Sequence, residues 1–224
     1  MAARPQLWLE LPPISATAPR RLLVFLHGAG SSPESFAPVA IAWQLKFPGA
    51  TAAVLQGLEP RGPWADWFDP RERGSRSAGH AARAAAAVAQ RIGSLQQLIG
   101  VGGGETVVVG FSQGATVALE LARTQPELAA IVVAYAPRLA SPMRPDERID
   151  STVHLIHGEF DSVVPSVHAT QAYRGMRAVG ADVTLDIVAD EAHTIGQELV
   201  SIGTTRVMQT LFRGRSPARR PTLH

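Results

Sequence analysis

The chain is predicted to fold as an α/β protein, a single domain built on a mostly parallel central sheet with helices on both faces. Short apolar or β-branched runs alternate with longer helical stretches along the chain. Several runs are apolar on consecutive residues, as in Leu22–Leu26, the pattern of a strand covered on both sides. The 224 residues, 46% of them hydrophobic, suffice for a sizeable core without a second domain. No internal repeat or long linker divides them.

Strands are placed at Leu7–Leu11, Leu22–Leu26, Thr51–Leu55, Thr106–Val109, Ala130–Tyr135, Val153–Ile156 and Val183–Val188. Helices are placed between them at Phe36–Phe47, at the alanine-rich His80–Ile99, at Ser112–Arg123, Ser166–Val179 and Thr194–Phe212. In the last helix Val200, Val207, Met208, Leu211 and Phe212 recur at spacings that make one apolar face. The run "GVGGGE" at Gly100–Glu105 has the composition of a phosphate-cradling loop. Such loops follow a strand and precede a helix, whereas this one follows a helix and precedes a strand. It is read as a helix-ending linker.

The absence of cysteine excludes disulfides, thiolate metal sites and a cysteine nucleophile, and suits a reducing compartment. The segment "MAARPQLWLELPPISATAPRR" is interrupted by Pro5, Pro12 and Pro13 and reads neither as a signal peptide nor as a membrane span, so a cytoplasmic protein is expected. The pI of 9.6 invites a nucleic-acid reading. Yet the net charge of +2 becomes −2 once the four arginines of "RGRSPARRPTLH" (Arg213, Arg215, Arg219 and Arg220) are set aside. Residues 1–212 are therefore taken as the folded domain and 213–224 as a basic, flexible tail. No nucleic-acid partner is expected, because a basic footprint belongs on the folded face.

Ligands of such sheets sit at the carboxyl ends of the strands. At the end of the fourth run stands Gly110-Phe111-Ser112-Gln113-Gly114, a Gly-x-Ser-x-Gly pattern at a strand-to-helix turn. A serine hydroxyl is a poor nucleophile at neutral pH and needs a base, which in turn needs a partner to fix its tautomer. Of the seven histidines, His154 falls inside a strand, His80 and His168 on helices, and His224 in the tail. His27 and His157 end strands and precede glycines, as turn residues do. His193, in "VADEAHTIGQ", lies after the last strand and before the last helix and is the candidate base. The loop after His157 offers Asp161 as the acid, with Glu159 as a near rival; Asp161 is preferred because it stands just ahead of Val163-Val164-Pro165, which can wall a pocket. The order Ser112, Asp161, His193 is that of the α/β hydrolases. Donors for a developing oxyanion are sought in the N–H of Gln113, directly after the serine, and in that of Ala29, in the Gly-rich turn "FLHGAGSS".

With "LVFLHGAG", "WADWFD", "VVVGFSQGA", "HGEFDSVVP" and "EAHTI" in this order, the chain resembles the phospholipase/carboxylesterase family of α/β hydrolases over roughly Leu22 to Phe212. The family includes acyl-protein thioesterases and small bacterial carboxylesterases. The resemblance implies a serine esterase without cofactor or metal, with Ser112, Asp161 and His193 as triad and the amides of Ala29 and Gln113 as oxyanion donors. It also implies that Trp67 lines or covers the acyl pocket; Val164 and His27 complete the expected substrate contacts.

The chain departs from the family's pattern at two places. Ala29 stands where a bulkier residue is common, and Ser31 where an aspartate is common, so a differently anchored loop and a wider mouth are expected. Ala136–Ser151 is too short for a cap domain, which predicts an open site suited to small soluble esters. Hydrolysis of short- to medium-chain carboxylic esters is the expected function. A thioesterase acting on acylated protein or acyl-CoA, a lysophospholipase, and a non-catalytic module on the same fold are the rivals. The partner is a small-molecule ester, no stable membrane insertion is expected, and the sequence leaves a homodimer open.

Overall fold

The computed structural model describes residues 8–15, 20–69, 71 and 75–213. Leu7 and the tail beyond Arg213 lie outside them. Seven strands form one sheet: β1 (Trp8–Leu11), β2 (Arg21–Leu26), β3 (Ala50–Leu55), β6 (Thr106–Phe111), β7 (Ile131–Tyr135), β8 (Thr152–Gly158) and β9 (Val183–Val188), in the spatial order β1-β3-β2-β6-β7-β8-β9. β1 runs antiparallel to β3, pairing Trp8 with Leu55. All other pairings in this sheet are parallel, as in Leu22 with Thr51 and with Thr106. A separate hairpin, β4 (Glu59–Arg61) and β5 (Trp64–Asp66), was not foreseen.

Alternation along the strands divides the core into two layers. Leu22, Val24 and Leu26 point to one side and Leu23 and Phe25 to the other, all fully buried, which is why the run is apolar throughout. On the first side pack α2 (Ser75–Ile99), α3 (Gln113–Thr124) and α4 (Val167–Ala178); on the second pack α1 (Pro33–Gln44) and α5 (Gln197–Arg213). Alanine has a use in α2: Ala81, Ala84 and Ala85 continue into Val88, Ile92 and Leu95 as one buried stripe against α3. After α2 a single 3-10 turn at Gly103–Glu105 leads into β6, as a helix-ending linker should.

Three helices correct the expectation. α2 starts at Ser75, more than a turn before His80. α1 begins at Pro33, a turn earlier than the apolar pattern, because Ser32 and Ser35 cap it reciprocally and proline suits its first position. In α5 the buried face is Leu199, Gly203, Thr204 and Val207, with Val200, Met208 and Leu211 beside it and Phe212 left 64% exposed. The phase is set by a close approach: Tyr135 Oη donates to Leu199 O, and a Cβ at residue 203 would fall 2.0 Å from that phenol oxygen.

The stretch Ala136–Ser151 contains no helix or strand. Buried Arg123 of α3 holds it down, donating to Glu147 Oε1 at 2.6 Å, to Glu120 Oε2 at 3.1 Å and to Ser141 O at 3.3 Å. Among the described residues no helix is long and apolar enough to cross a membrane.

Candidate active site

Ser112 sits between the last residue of β6 and the first of α3, with φ 53° and ψ −112°, a backbone state that side-chain-bearing residues rarely adopt. Its N–H donates to Tyr135 O of the neighbouring strand at 2.9 Å and its carbonyl accepts from Thr116 N–H at 3.1 Å, so the turn is held on both sides. The flanking glycines are forced by contact. A Cβ at residue 110 would lie 2.5 Å from Gly114 O, and one at residue 114 would lie 2.2 Å from Leu26 O.

Asp161 follows β8 and has a fully buried carboxylate. Oδ1 accepts the backbone N–H groups of Val163 at 2.9 Å and Val164 at 2.8 Å, which fixes the side chain from its own loop. Oδ2 is left for His193, whose Nδ1 lies 2.7 Å away. Nδ1–H donates in this pair, so Nε2 is the free base nitrogen. Glu159 is exposed and takes no part. The His193 ring rests on Phe111, the residue before Ser112, with centroids 4.8 Å apart; Phe111 in turn stacks on Phe36. Among the described residues no hydrogen bond joins Ser112 Oγ to His193. Such bonds are often long in unliganded enzymes and tighten with substrate.

His157, which ends β8, is buried beneath this pair. Its Nε2 donates to Val164 O at 2.7 Å and stands 3.4 Å from Asp161 Oδ2, and burial pushes its pKa below the ordinary histidine range. Val164 serves through its backbone, which is bonded on both sides, and its side chain is half-buried.

The turn after β2 leaves Ala29 exposed between its two glycines. What anchors it is Asp66 of β5: Oδ1 accepts Gly30 N–H at 2.7 Å, and Oδ2 pairs with Arg61 at 2.7 Å. Ala65 N–H adds a bond to Ser31 O at 2.8 Å. The unforeseen hairpin thus supplies the carboxylate that the loop itself lacks at Ser31. Gln113, buried at the start of α3, ties the same region down with its side chain. Oε1 accepts Trp67 N–H and Nε2 donates to Phe68 O, both at 2.7 Å.

Two expected substrate contacts are corrected. Trp67 is 1% exposed, its indole N–H donating to His27 O at 2.8 Å, and His27 is fully buried with its ring 5.2 Å from the Trp67 ring. Gly57 N–H donates to His27 Nε2 at 3.2 Å and Nδ1 reaches Gly28 O at 2.8 Å, so His27 is neutral, as burial also requires. Both side chains support the loop from below rather than line an open pocket. Phe111, the Gln113 side chain, Asp66 and His157 were missed as site residues; the motifs contained all four, but only their contacts reveal what they do.

A strained serine, a buried carboxylate bonded to a histidine and an anchored Gly-rich turn thus lie along the carboxyl edge of one parallel sheet. The sequence model of the phospholipase/carboxylesterase family matches residues 14–206. The chain belongs to that family. As a phospholipase/carboxylesterase member it is a carboxylic ester hydrolase on an α/β-hydrolase fold. It is similar to the esterase YpfH of Escherichia coli (strain K12), 33% identical over 197 residues that cover 86% of this chain and 84% of that one. Among solved structures it is similar to esterase PE8, with a TM-score of 0.81 and 28% identity over 90% of this chain and 97% of that one. The Bacillus cereus carboxylesterase shares the fold at a TM-score of 0.73 and 14% identity, over 90% of this chain and 93% of that one.

Proposed function

We propose that the protein is a serine carboxylesterase that hydrolyses short- to medium-chain esters through an acyl-enzyme on Ser112. His193 takes the hydroxyl proton as Ser112 Oγ attacks the ester carbonyl. The N–H groups of Ala29 and Gln113 hold the oxyanion, the alcohol leaves with the proton, and water repeats the sequence on the acyl-enzyme. Asp161 orients His193 and balances its charge. The substrate is a small soluble ester met in the cytoplasm, and no cofactor is used.

The observation that carries this reading is the division of labour on Asp161. One oxygen is held by two backbone N–H groups and the other is left for His193, on the same sheet edge as a serine in a strained turn. Support for small esters comes from the open surroundings: Ala29, Phe160 and Val163 are exposed beside these residues, and no cap element stands over them among the described residues. The test is the initial rate on p-nitrophenyl esters from acetate to palmitate, with wild type and Ser112→Ala side by side. A Ser112-dependent rate that peaks at short chains is expected. Equal hydrolysis by Ser112→Ala would sink the assignment.

A further inference from the structure

The triad candidates and the Ala29 turn lie at the ends of β2, β6, β8 and β9, while β7 contributes only the Tyr135 carbonyl that holds the Ser112 N–H. Beyond it a cleft of about 530 Å³ opens between the Arg138–Met143 segment and α4. Leu139 and Met143, both half-buried against the core, make its apolar wall. Gly175 lets the two walls approach, since a Cβ there would stand 3.1 Å from Met143 Cγ.

The polar side chains of the cleft are Ser141, whose Oγ accepts from Arg123 at 3.2 Å, and Arg138, His168 and Gln171, none of which has a side-chain hydrogen-bond or ion-pair partner among the described residues. Nearby charges are spent differently: Arg123 pairs with Glu120 and Glu147, and Arg144 with Asp146 and Glu147. No aspartate or glutamate lines the cleft, and the first turn of α4, which contributes His168, carries none either. Arg138 is half-buried, and a guanidinium with its planar fork of donors unused is matched by a carboxylate, which it can bind through two parallel hydrogen bonds.

The cleft is also close to the chemistry. Tyr135 O, the end of β7, accepts the Ser112 N–H, and Arg138 follows three residues later, within about 11 Å of chain. His157 donates to Val164 O at 2.7 Å and the next carbonyl, Pro165 O, accepts the His168 N–H at 3.0 Å, so the cleft adjoins the loop that carries Asp161.

We propose that this cleft is a substrate subsite for a carboxylate, and that the enzyme's preferred substrates are esters of dicarboxylic acids with one carboxyl group free. Arg138 takes the carboxylate, with His168 and Gln171 as further donors, and the methylene chain lies on Leu139 and Met143. The proposal rests on Ser112 being the nucleophile of an esterase.

It is tested on the full chain with mono-p-nitrophenyl esters of dicarboxylic acids from glutarate to sebacate, against p-nitrophenyl esters of monocarboxylic acids of equal length, with Ser112→Ala as blank. The ratio of kcat/KM should favour the free acid by about tenfold or more at one chain length, and should shrink as salt is added. Arg138→Gln should collapse that ratio, and Arg138→Glu should turn it toward esters ending in an ammonium group. A ratio near one at every length, or a ratio that survives Arg138→Gln while both rates fall together, would overturn the subsite. Absence of Ser112-dependent hydrolysis in both series would count against the esterase reading instead. The subsite is then decided by thermal shift with adipate: stabilisation of wild type but not of Arg138→Gln supports it, and equal shifts refute it.

Discussion

Replacing Ser112 by glycine should abolish turnover and at the same time make the protein more stable. At φ 53° and ψ −112° the Cβ of Ser112 is held in a sparsely populated backbone state, which costs on the order of 1–3 kcal/mol for a residue with a side chain. Glycine adopts positive φ freely. Its larger freedom in the unfolded chain offsets roughly 0.5–1 kcal/mol of that gain. The net lies between about 0 and 2.5 kcal/mol, and its midpoint, a stabilisation of about 1 kcal/mol, raises Tm by a few degrees for a chain of this size. Ser112→Ala is the control, because it loses the hydroxyl but keeps the Cβ and therefore the strain. Calorimetry or urea unfolding of the three proteins, with rates on p-nitrophenyl butyrate, makes the comparison. If Ser112→Gly is no more stable than Ser112→Ala, the turn stores no strain and the reasoning fails.

Gln113→Leu strands the buried Trp67 N–H and Phe68 C=O, and should cost about 2–5 kcal/mol in urea unfolding. Asp66→Ala frees the Gly30 N–H and lets the Ala29 turn drift, so kcat should fall by roughly ten- to a hundredfold with a smaller change in KM, as for partial loss of an oxyanion donor. His154, buried between Thr184 and Thr210, has its pKa pushed down to about 4. Unfolding lets it take up a proton below its ordinary value near 6.5, so the stability this neutral histidine contributes is full above that pH and is lost as pH falls toward 4. The loss amounts to roughly 3 kcal/mol. Urea midpoints at pH 7 and pH 4.5 should therefore converge in His154→Gln relative to wild type, and an unchanged difference would contradict the assignment.

Sheet and helices were legible because both faces of the strands are covered. A run such as Thr106–Val109 has no wet side to interrupt it, and each helix between runs must bury a stripe. The hairpin β4–β5 escaped because Glu59-Pro60-Arg61 is exposed and polar. It is held by Asp66, whose partner Gly30 is 36 residues away, and no periodicity reports such a contact. The face of α5 was read in part: Val207 is buried and Val200 and Leu211 pack against the core, but its closest approach uses glycine and threonine, which a count of apolar residues passes over. The candidate site divides in the same way. Ser112, Asp161 and His193 announce themselves by standing at strand ends with chemistry the turn does not need. The burial of His27 and Trp67 depends on which side of a loop faces the core, and side-chain type does not specify that.

Asp161 leads into α4 on one side of the sheet and His193 into α5 on the other. The 2.7 Å bond between them therefore ties together two loops that lead to opposite helical layers, beside the Phe160 N–H to Glu191 O bond at 2.9 Å that joins the same loops. Any sliding of one layer against the other is felt first as a misaligned imidazole. Under mild denaturant, catalysis should fade before the tryptophan signal of the core moves, and the rate of hydrolysis becomes a gauge of how firmly the two halves of the protein are clasped.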